Sequence, residues 1–264
     1  MAHQTGIDGY RNPVKARLAA GEPVFGITIT TANLDSAAQA ASLGFDFLWV
    51  EMEHSPVTLE SLRNIVLATR SLPTVPFARV PVNELWTAKR VLDAGVHGVI
   101  FPFTTTPELA QRAAAACHYP PQGKRGSGAG LATRTWPDAG DYYDSADANV
   151  LVVTVVEEAA AVEQIDAIAA TPGVDVLFIG TSDLSFSLGL RGAQNDPRLE
   201  AAIAKIAAAA KKHGKYLGRP LRDPSNLAAL REQGFQFFQT PTDLDFLAAG
   251  AREYLQKTGK KVPK

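Results

Sequence analysis

The chain has 264 residues, enough to bury a sizeable core and close to the usual size of one α/β barrel. Its 26 basic and 27 acidic residues leave a formal charge of −1, which gives no electrostatic reason to expect nucleic acid or an anionic membrane as a partner. The single cysteine, Cys117, excludes an intramolecular disulfide and a cysteine metal cluster.

The first 23 residues contain no apolar core of signal-peptide length, and no later run approaches the ~18 apolar residues of a membrane span. A cytoplasmic protein is the expectation. Residues 1–22 are polar and predict an N-terminal extension with a short helix over 13–20, stopped by Gly21 and Pro23. The run 24–30 then reads as a β-branched strand, and Asn33 or Asp35 caps a helix that ends near Gly44. Residues 47–52 form a short apolar run that ends in Glu53-His54-Ser55-Pro56, the pattern of a buried strand with a polar tip. Thr58 caps the next helix, whose face carries Leu59, Leu62, Ile65 and Val66.

The same alternation continues through strands at 75–80 and 97–103 and helices at 84–94 and 107–117. Residues 118–149 are rich in Gly, Pro, Asp and Ser. They predict a long loop on the active-site side, functional or hiding short helices. Strands at 149–157, 174–180, 215–221 and 235–240 alternate with helices at 158–170, 197–213, 224–233 and 244–254. Strict alternation argues for parallel strands with right-handed crossovers. Eight units favour a single-domain (β/α)8 barrel spanning 1–264 over a doubly wound open sheet.

In a barrel the chemistry lies at the C-terminal strand tips. Those tips offer Thr28 and Thr30, then Glu51, Glu53 and His54, then Arg79, Glu157 and Glu158, Thr181-Ser182-Asp183, Arg219, and finally Gln239, Thr240 and Thr242. Strand 4 offers nothing ionised. No lysine occupies a strand interior or tip, which argues against a Schiff-base mechanism. Glu157 and Asp183 end adjacent strands; two converging carboxylates repel unless one is protonated or a cation lies between them. A hard divalent ion, held by both and completed by water and a substrate oxygen, is a natural solution. Arg79 can bind a carboxylate or a developing oxyanion, and His54 can move a proton near neutral pH.

Each residue has a plainer alternative. Asp183 can cap the segment that follows, Glu158 suits a helix first turn, and Arg79 can be a structural partner of Glu51 or Glu53. His97 precedes its strand and lies at the wrong barrel end, so it reads as structural. The 124–130 run, KRGSGAG, lacks phosphate-loop spacing and reads as a mobile site loop.

Together these stretches resemble a known family. GFDFLWVEMEHSP (44–56), the run around Arg79 (78–84), VLDAGVHGVIFP (91–102), YPPQGKRGSG (119–128), VVEEAAAVEQI (155–165) and VDVLFIGTSDLS (174–185) occur in order. They are similar to the HpcH/HpaI aldolases, the metal-dependent class II pyruvate aldolases. The resemblance implies cleavage of 4-hydroxy-2-oxo acids to pyruvate or hydroxypyruvate and an aldehyde, with small-molecule substrates only. It implies Glu157 and Asp183 as ligands of Mg2+, Mn2+ or Co2+, and their separation of 26 positions (183 − 157) matches the family. Arg79 would hold the keto oxygen. His54, paired with Asp93, would form the acid/base system with water at the metal. Backbone N–H groups around Ser182 and Asp183 would bind the pyruvate carboxylate. The resemblance further implies a homo-oligomer, trimer or hexamer, with the last helix exchanged between subunits.

The sequence departs from that pattern at Glu51-Met52, where Asp-Gly is usual, and at Val155, where Gln is frequent. Glu51 is expected to alter how Arg79 is held, and Met52 to alter the room for the acceptor. The alternatives are an acyl-CoA lyase of the citrate-lyase β-subunit type, a 2-keto acid (oxaloacetate) decarboxylase on the same site, and a binding protein without turnover.

Overall fold

In the computed structural model, which describes residues 10–136 and 141–261, eight strands close a parallel barrel in sequence order, with β8 returning to β1. They are β1 (Val24–Ile29), β2 (Phe47–Glu51), β3 (Val75–Arg79), β4 (Gly98–Phe101), β5 (Leu151–Val156), β6 (Val176–Ile179), β7 (Tyr216–Pro220) and β8 (Phe235–Thr242). The (β/α)8 architecture read from the alternation is therefore the one observed.

The helices are α1 (Pro13–Ala19), α2 (Leu34–Ser42), α3 (Leu59–Thr69), α4 (Leu85–Ala94), α5 (Pro107–Cys117), α6 (Gly130–Thr135) and α7 (Tyr142–Asn149). They continue with α8 (Ala159–Glu163), α9 (Ile165–Ala169), α10 (Thr181–Ser187), α11 (Pro197–Lys212), α12 (Leu227–Glu232) and α13 (Asp243–Lys257). Polar caps set many of their starts. Asn33, Thr58, Thr106 and Asp196 each accept a backbone N–H of the first turn, and Thr242 and Asp245 form a reciprocal capping box. The helix expected over 158–170 is broken at Gln164 into α8 and α9, and α10 begins directly at the β6 tip where a loop was expected.

Period-two alternation fills the barrel with aromatic rings. Phe47, Trp49, Phe77, Phe178 and Phe237 point inward, with ring centroids 4.6 Å apart for Phe47–Phe237 and 4.9 Å for Trp49–Phe178. Val14 and Leu18 of α1 join this interior cluster. A second, outer layer packs the opposite strand faces against the helices.

Residues 118–136 and 141–149 lie on the opposite face from the one expected for the 118–149 segment. Helix α5 runs from the strand tips back to the start of the strands, so the segment between it and β5 belongs to the N-terminal face. Its contacts agree: the Trp136 indole N–H donates to the Gly95 carbonyl at 2.9 Å, and Asn149 is hydrogen-bonded to Asn12 and Tyr10. His97 lies at this same end, as expected, buried in a three-ring cluster with Tyr10 and Trp136. Burial holds its imidazole neutral, with a pKa pushed down to about 3.

Candidate active site

Inward alternation at the tips sets the site. The residues two positions beyond Trp49, Phe77 and Val155 are Glu51, Arg79 and Glu157, so these three form a polar ring on top of the apolar interior. Glu51 and Arg79 sit directly opposite each other in the β2–β3 register.

Glu51 is 2% exposed and is the most heavily bonded group of the site. Its Oε2 accepts the Arg79 Nε–H at 2.7 Å and the Trp49 indole N–H at 3.1 Å. Its Oε1 accepts the backbone N–H groups of Glu53 at 2.8 Å and His54 at 3.1 Å. The carboxylate thus aims the guanidinium and folds the tip that carries Glu53 and His54. Arg79 Nη1 also lies 3.1 Å from Glu53 Oε2, an ion pair without hydrogen-bond alignment, since that buried oxygen accepts no hydrogen bond. The expected structural pairing of Arg79 with Glu51 is observed through Nε, and the guanidinium remains partly accessible.

Glu157 is 3% exposed, and its Oε1 accepts the Phe103 N–H at 2.7 Å. Phe103 adopts φ 47°, a left-handed conformation that costs a non-glycine residue about 1–2 kcal/mol. Residues held this way recur at functional sites. The tip of strand 4, read from the sequence as empty of ionised groups, contributes this backbone donor. On the other side, Gly180 leaves room for the carboxylate: a Cβ there would lie 2.7 Å from Glu157 Oε2. Burial raises the Glu157 pKa to about 7; the Phe103 N–H and Arg79 oppose the rise, and Glu53 and Asp183 add to it. Glu53 is raised as well, by burial first and then by Glu51 and Asp183, against the pull of Arg79.

Asp183 is exposed in the first turn of α10, close enough for its charge to act on both Glu53 and Glu157. Ser182, beside it, is exposed too. Four carboxylates (Glu51, Glu53, Glu157 and Asp183) therefore share a site with one guanidinium, which pairs with the first two and acts on the third. That surplus, the unbonded Glu53 oxygen and the clearance at Gly180 fit a cation held by Glu157 and Asp183. Among the described residues no three His, Cys, Asp or Glu side chains converge as a ready cage. Two carboxylates leave coordination positions for water and substrate oxygens.

His54 is exposed at the same tip, its Nε2 3.6 Å from Glu53 Oε2. The expected His54–Asp93 pair is not made within the chain. Asp93 lies in the last turn of α4, about 12 Å along that helix from its start at the tip face. There it faces Arg125, with Nη2 3.4 Å from Oδ1. Met52 also departs from expectation. It points outward and packs against the helix layer, so its bulk does not narrow the pocket. Val155, by contrast, does face inward beneath Glu157.

These features define a (β/α)8 enzyme whose strand tips carry an acid-rich site around one arginine. Residues 25–249 match the model of the HpcH/HpaI aldolase/citrate lyase family. The chain belongs to this family of carbon–carbon lyases. It is 34% identical to a hydroxypyruvate/pyruvate aldolase of Paraburkholderia phytofirmans, covering 94% of this chain and 98% of that one. It is 33% identical to a 5-keto-4-deoxy-D-glucarate aldolase of Salmonella arizonae, covering 96% and 98%. Among solved structures, an HpcH/HpaI aldolase/citrate lyase family protein from Burkholderia cenocepacia superposes with a TM-score of 0.86 at 34% identity, covering 94% of this chain and all of that one.

Proposed function

We propose that the chain catalyses reversible, divalent-metal-dependent aldol cleavage of 4-hydroxy-2-oxo acids, giving pyruvate or hydroxypyruvate and an aldehyde. The observation that carries this reading is a site with four carboxylates and one arginine, Arg79, which calls for a cation and offers one fixed donor to a keto oxygen. The names of the aldolase relatives support the same reaction class.

In this reading Glu157 and Asp183 hold Mg2+, Mn2+ or Co2+, and the ion supplies Lewis-acid stabilisation to the keto acid. Arg79, fixed through Nε by Glu51, turns its remaining N–H groups to the keto oxygen and stabilises the charge that develops there on C–C cleavage. The free backbone N–H groups at the start of α10, around Ser182 and Asp183, receive the substrate carboxylate. His54 takes the proton from the C4 hydroxyl as the bond breaks. Asp93 reaches a His54 only across a contact between two copies. The C-terminal helix α13 supports an assembly with exchanged helices: none of its side chains is buried, and Leu244, Leu247 and Tyr254 are 52%, 68% and 70% exposed.

The acyl-CoA alternative loses ground here. Arg125 is 2% exposed under Tyr119 and Tyr142, so it is not available to a CoA phosphate.

The test is exchange of the pyruvate methyl protons and aldol turnover after chelation and after return of Mn2+. The expected result is loss on chelation, recovery in the wild type, and no recovery in Glu157→Ala or Asp183→Ala. Full activity of either variant would remove that residue as a ligand; metal-independent exchange would remove the reading.

A further inference from the structure

Strand β7 reads Tyr216-Leu217-Gly218-Arg219-Pro220, and its side chains alternate between two environments. A Cβ on Gly218 would lie 2.9 Å from the Phe178 ring, so Gly218 faces the barrel interior. Leu217 and Leu221 pack in the outer layer with Ile206 and Phe235. Arg219 stands between these two leucines and therefore also points outward, under the helices, rather than into the tip site that its sequence position suggested.

An arginine at that position needs an explanation. Its guanidinium carbon lies 5.4 Å from the Phe235 ring centroid, and the buried Nε–H has no acceptor. Among the described residues no hydrogen bond or ion pair reaches this side chain. Burial pushes its pKa down without any compensating charge. A stacked aromatic ring returns about 0.5–2 kcal/mol, but it satisfies none of the N–H groups. The side chain is only partly buried, so the cost falls on the one sequestered Nε–H, about 1–3 kcal/mol for an unmade hydrogen bond, which an anion entering beside the guanidinium can offset.

The space for a partner is present. Arg219 and Phe235 line a cleft of about 1070 Å3 between α11 and α12, open to solvent. Ile203 and Ala207 of α11 form one wall; Asn226 and Gln233 contribute amides on the other, with Arg222 lining the cleft as well. Two acids, Glu200 and Asp223, border it, and neither pairs with Arg219. The Asp223 carboxylate is already occupied by the Ser225 N–H at 2.9 Å.

We propose that this cleft, which Thr181 and Ser182 of α10 border on the side of the aldol site, is a second ligand site in which the Arg219 guanidinium binds the phosphate or carboxylate group of a small anionic molecule. The planar fork of an arginine pairs bidentately with either oxyanion, and the Asn226 and Gln233 amides suit the polar remainder of the ligand.

The experiment is calorimetric titration of the full-length protein with inorganic phosphate and, separately, with succinate. An Arg79→Gln background removes the side-chain cation of the aldol site, and comparison with the Arg219 variant separates this cleft from the backbone N–H groups that remain there. Saturable binding of one anion per chain is expected, with Kd raised at least tenfold by Arg219→Gln while aldol turnover of Arg219→Gln in the wild-type background stays within twofold. Tighter binding of phosphate would identify a phosphorylated ligand, and tighter binding of succinate a carboxylate. Should Arg219→Gln fail to fold, Arg219→Lys replaces it; the charge remains but the fork is lost, and a rise in Kd of at least threefold is expected. No saturable binding by either anion, or unchanged affinity in the folded Arg219 variant, overturns the proposal.

Discussion

Glu51→Gln is the sharpest perturbation the site permits, because it changes charge and hydrogen bonding at nearly constant shape. The wild-type carboxylate accepts four donors, two on each oxygen. An amide has one acceptor oxygen, so in either orientation its NH2 faces two N–H groups. If the NH2 meets Arg79 and Trp49, a charge-assisted bond is lost, worth about 1.5–3 kcal/mol, together with a neutral one worth about 1 kcal/mol. If it meets the Glu53 and His54 amides, the tip is displaced and Arg79 faces a neutral partner. Either way the cost is roughly 3 kcal/mol, since both side chains are largely buried and solvent cannot replace the lost partner. At about 2–4 °C per kcal/mol for a domain of this size, the melting temperature should fall by roughly 6–12 °C. If Glu51 aims Arg79 at the keto oxygen, kcat should also fall on the order of a hundredfold, the rate equivalent of that energy. Thermal denaturation and single-turnover aldol cleavage read the two effects separately. A lowered melting temperature with kcat within threefold of wild type would refute the positioning role and leave Glu51 as a structural residue.

Two further outcomes follow from the Glu157 pocket. Gly180→Ala has no backbone obstacle, with φ −76° and ψ 77°, but its Cβ would approach Glu157 Oε2 to 2.7 Å and Glu157 Cβ to 2.8 Å. The variant should fold, bind Mn2+ at least tenfold more weakly and lose turnover in proportion; wild-type Mn2+ affinity by titration would contradict the ligand assignment. The second outcome concerns pH. Burial raises the Glu157 pKa from 4.5 to about 7, so its protonated form is the one favoured by the folded chain. The stability this group contributes is full below pH 4.5 and is lost as pH rises through about 7. In metal-free protein the loss over that window should approach about 3 kcal/mol, from a shift of about 2.5 units (7 − 4.5). Urea denaturation across this range should show the loss in wild type and not in Glu157→Gln. Equal pH dependence of the two proteins would show that Glu157 is not the group responsible.

The sequence by itself determined the barrel and most of the tip chemistry. Alternating apolar runs and amphipathic stretches admit parallel strands with helical crossovers, and eight such units close a barrel. Period-two alternation then brings Glu51, Arg79 and Glu157 inward at one level, because each lies two residues beyond a side chain of the barrel interior. Chain order also contained the direction of each helix. Asp93 at the end of α4, and residues 118–149 after α5, could have been assigned to the N-terminal face on that ground alone.

Other features were decided by tertiary structure, because they depend on which face a side chain takes and what meets it there. Met52 and Arg219 occupy strand tips in the sequence, yet both point outward: one into apolar packing, the other beneath the helices with no partner of its own. The left-handed backbone at Phe103, which aims an N–H at Glu157, has no signature in a Phe-Thr-Thr-Thr run. Composition and spacing identify the polar residues at the tips. Only the closed barrel decides that four of their carboxylates share a site with one guanidinium, since that neighbourhood joins β2, β3, β5 and the start of α10 across more than 130 residues (183 − 51) of chain.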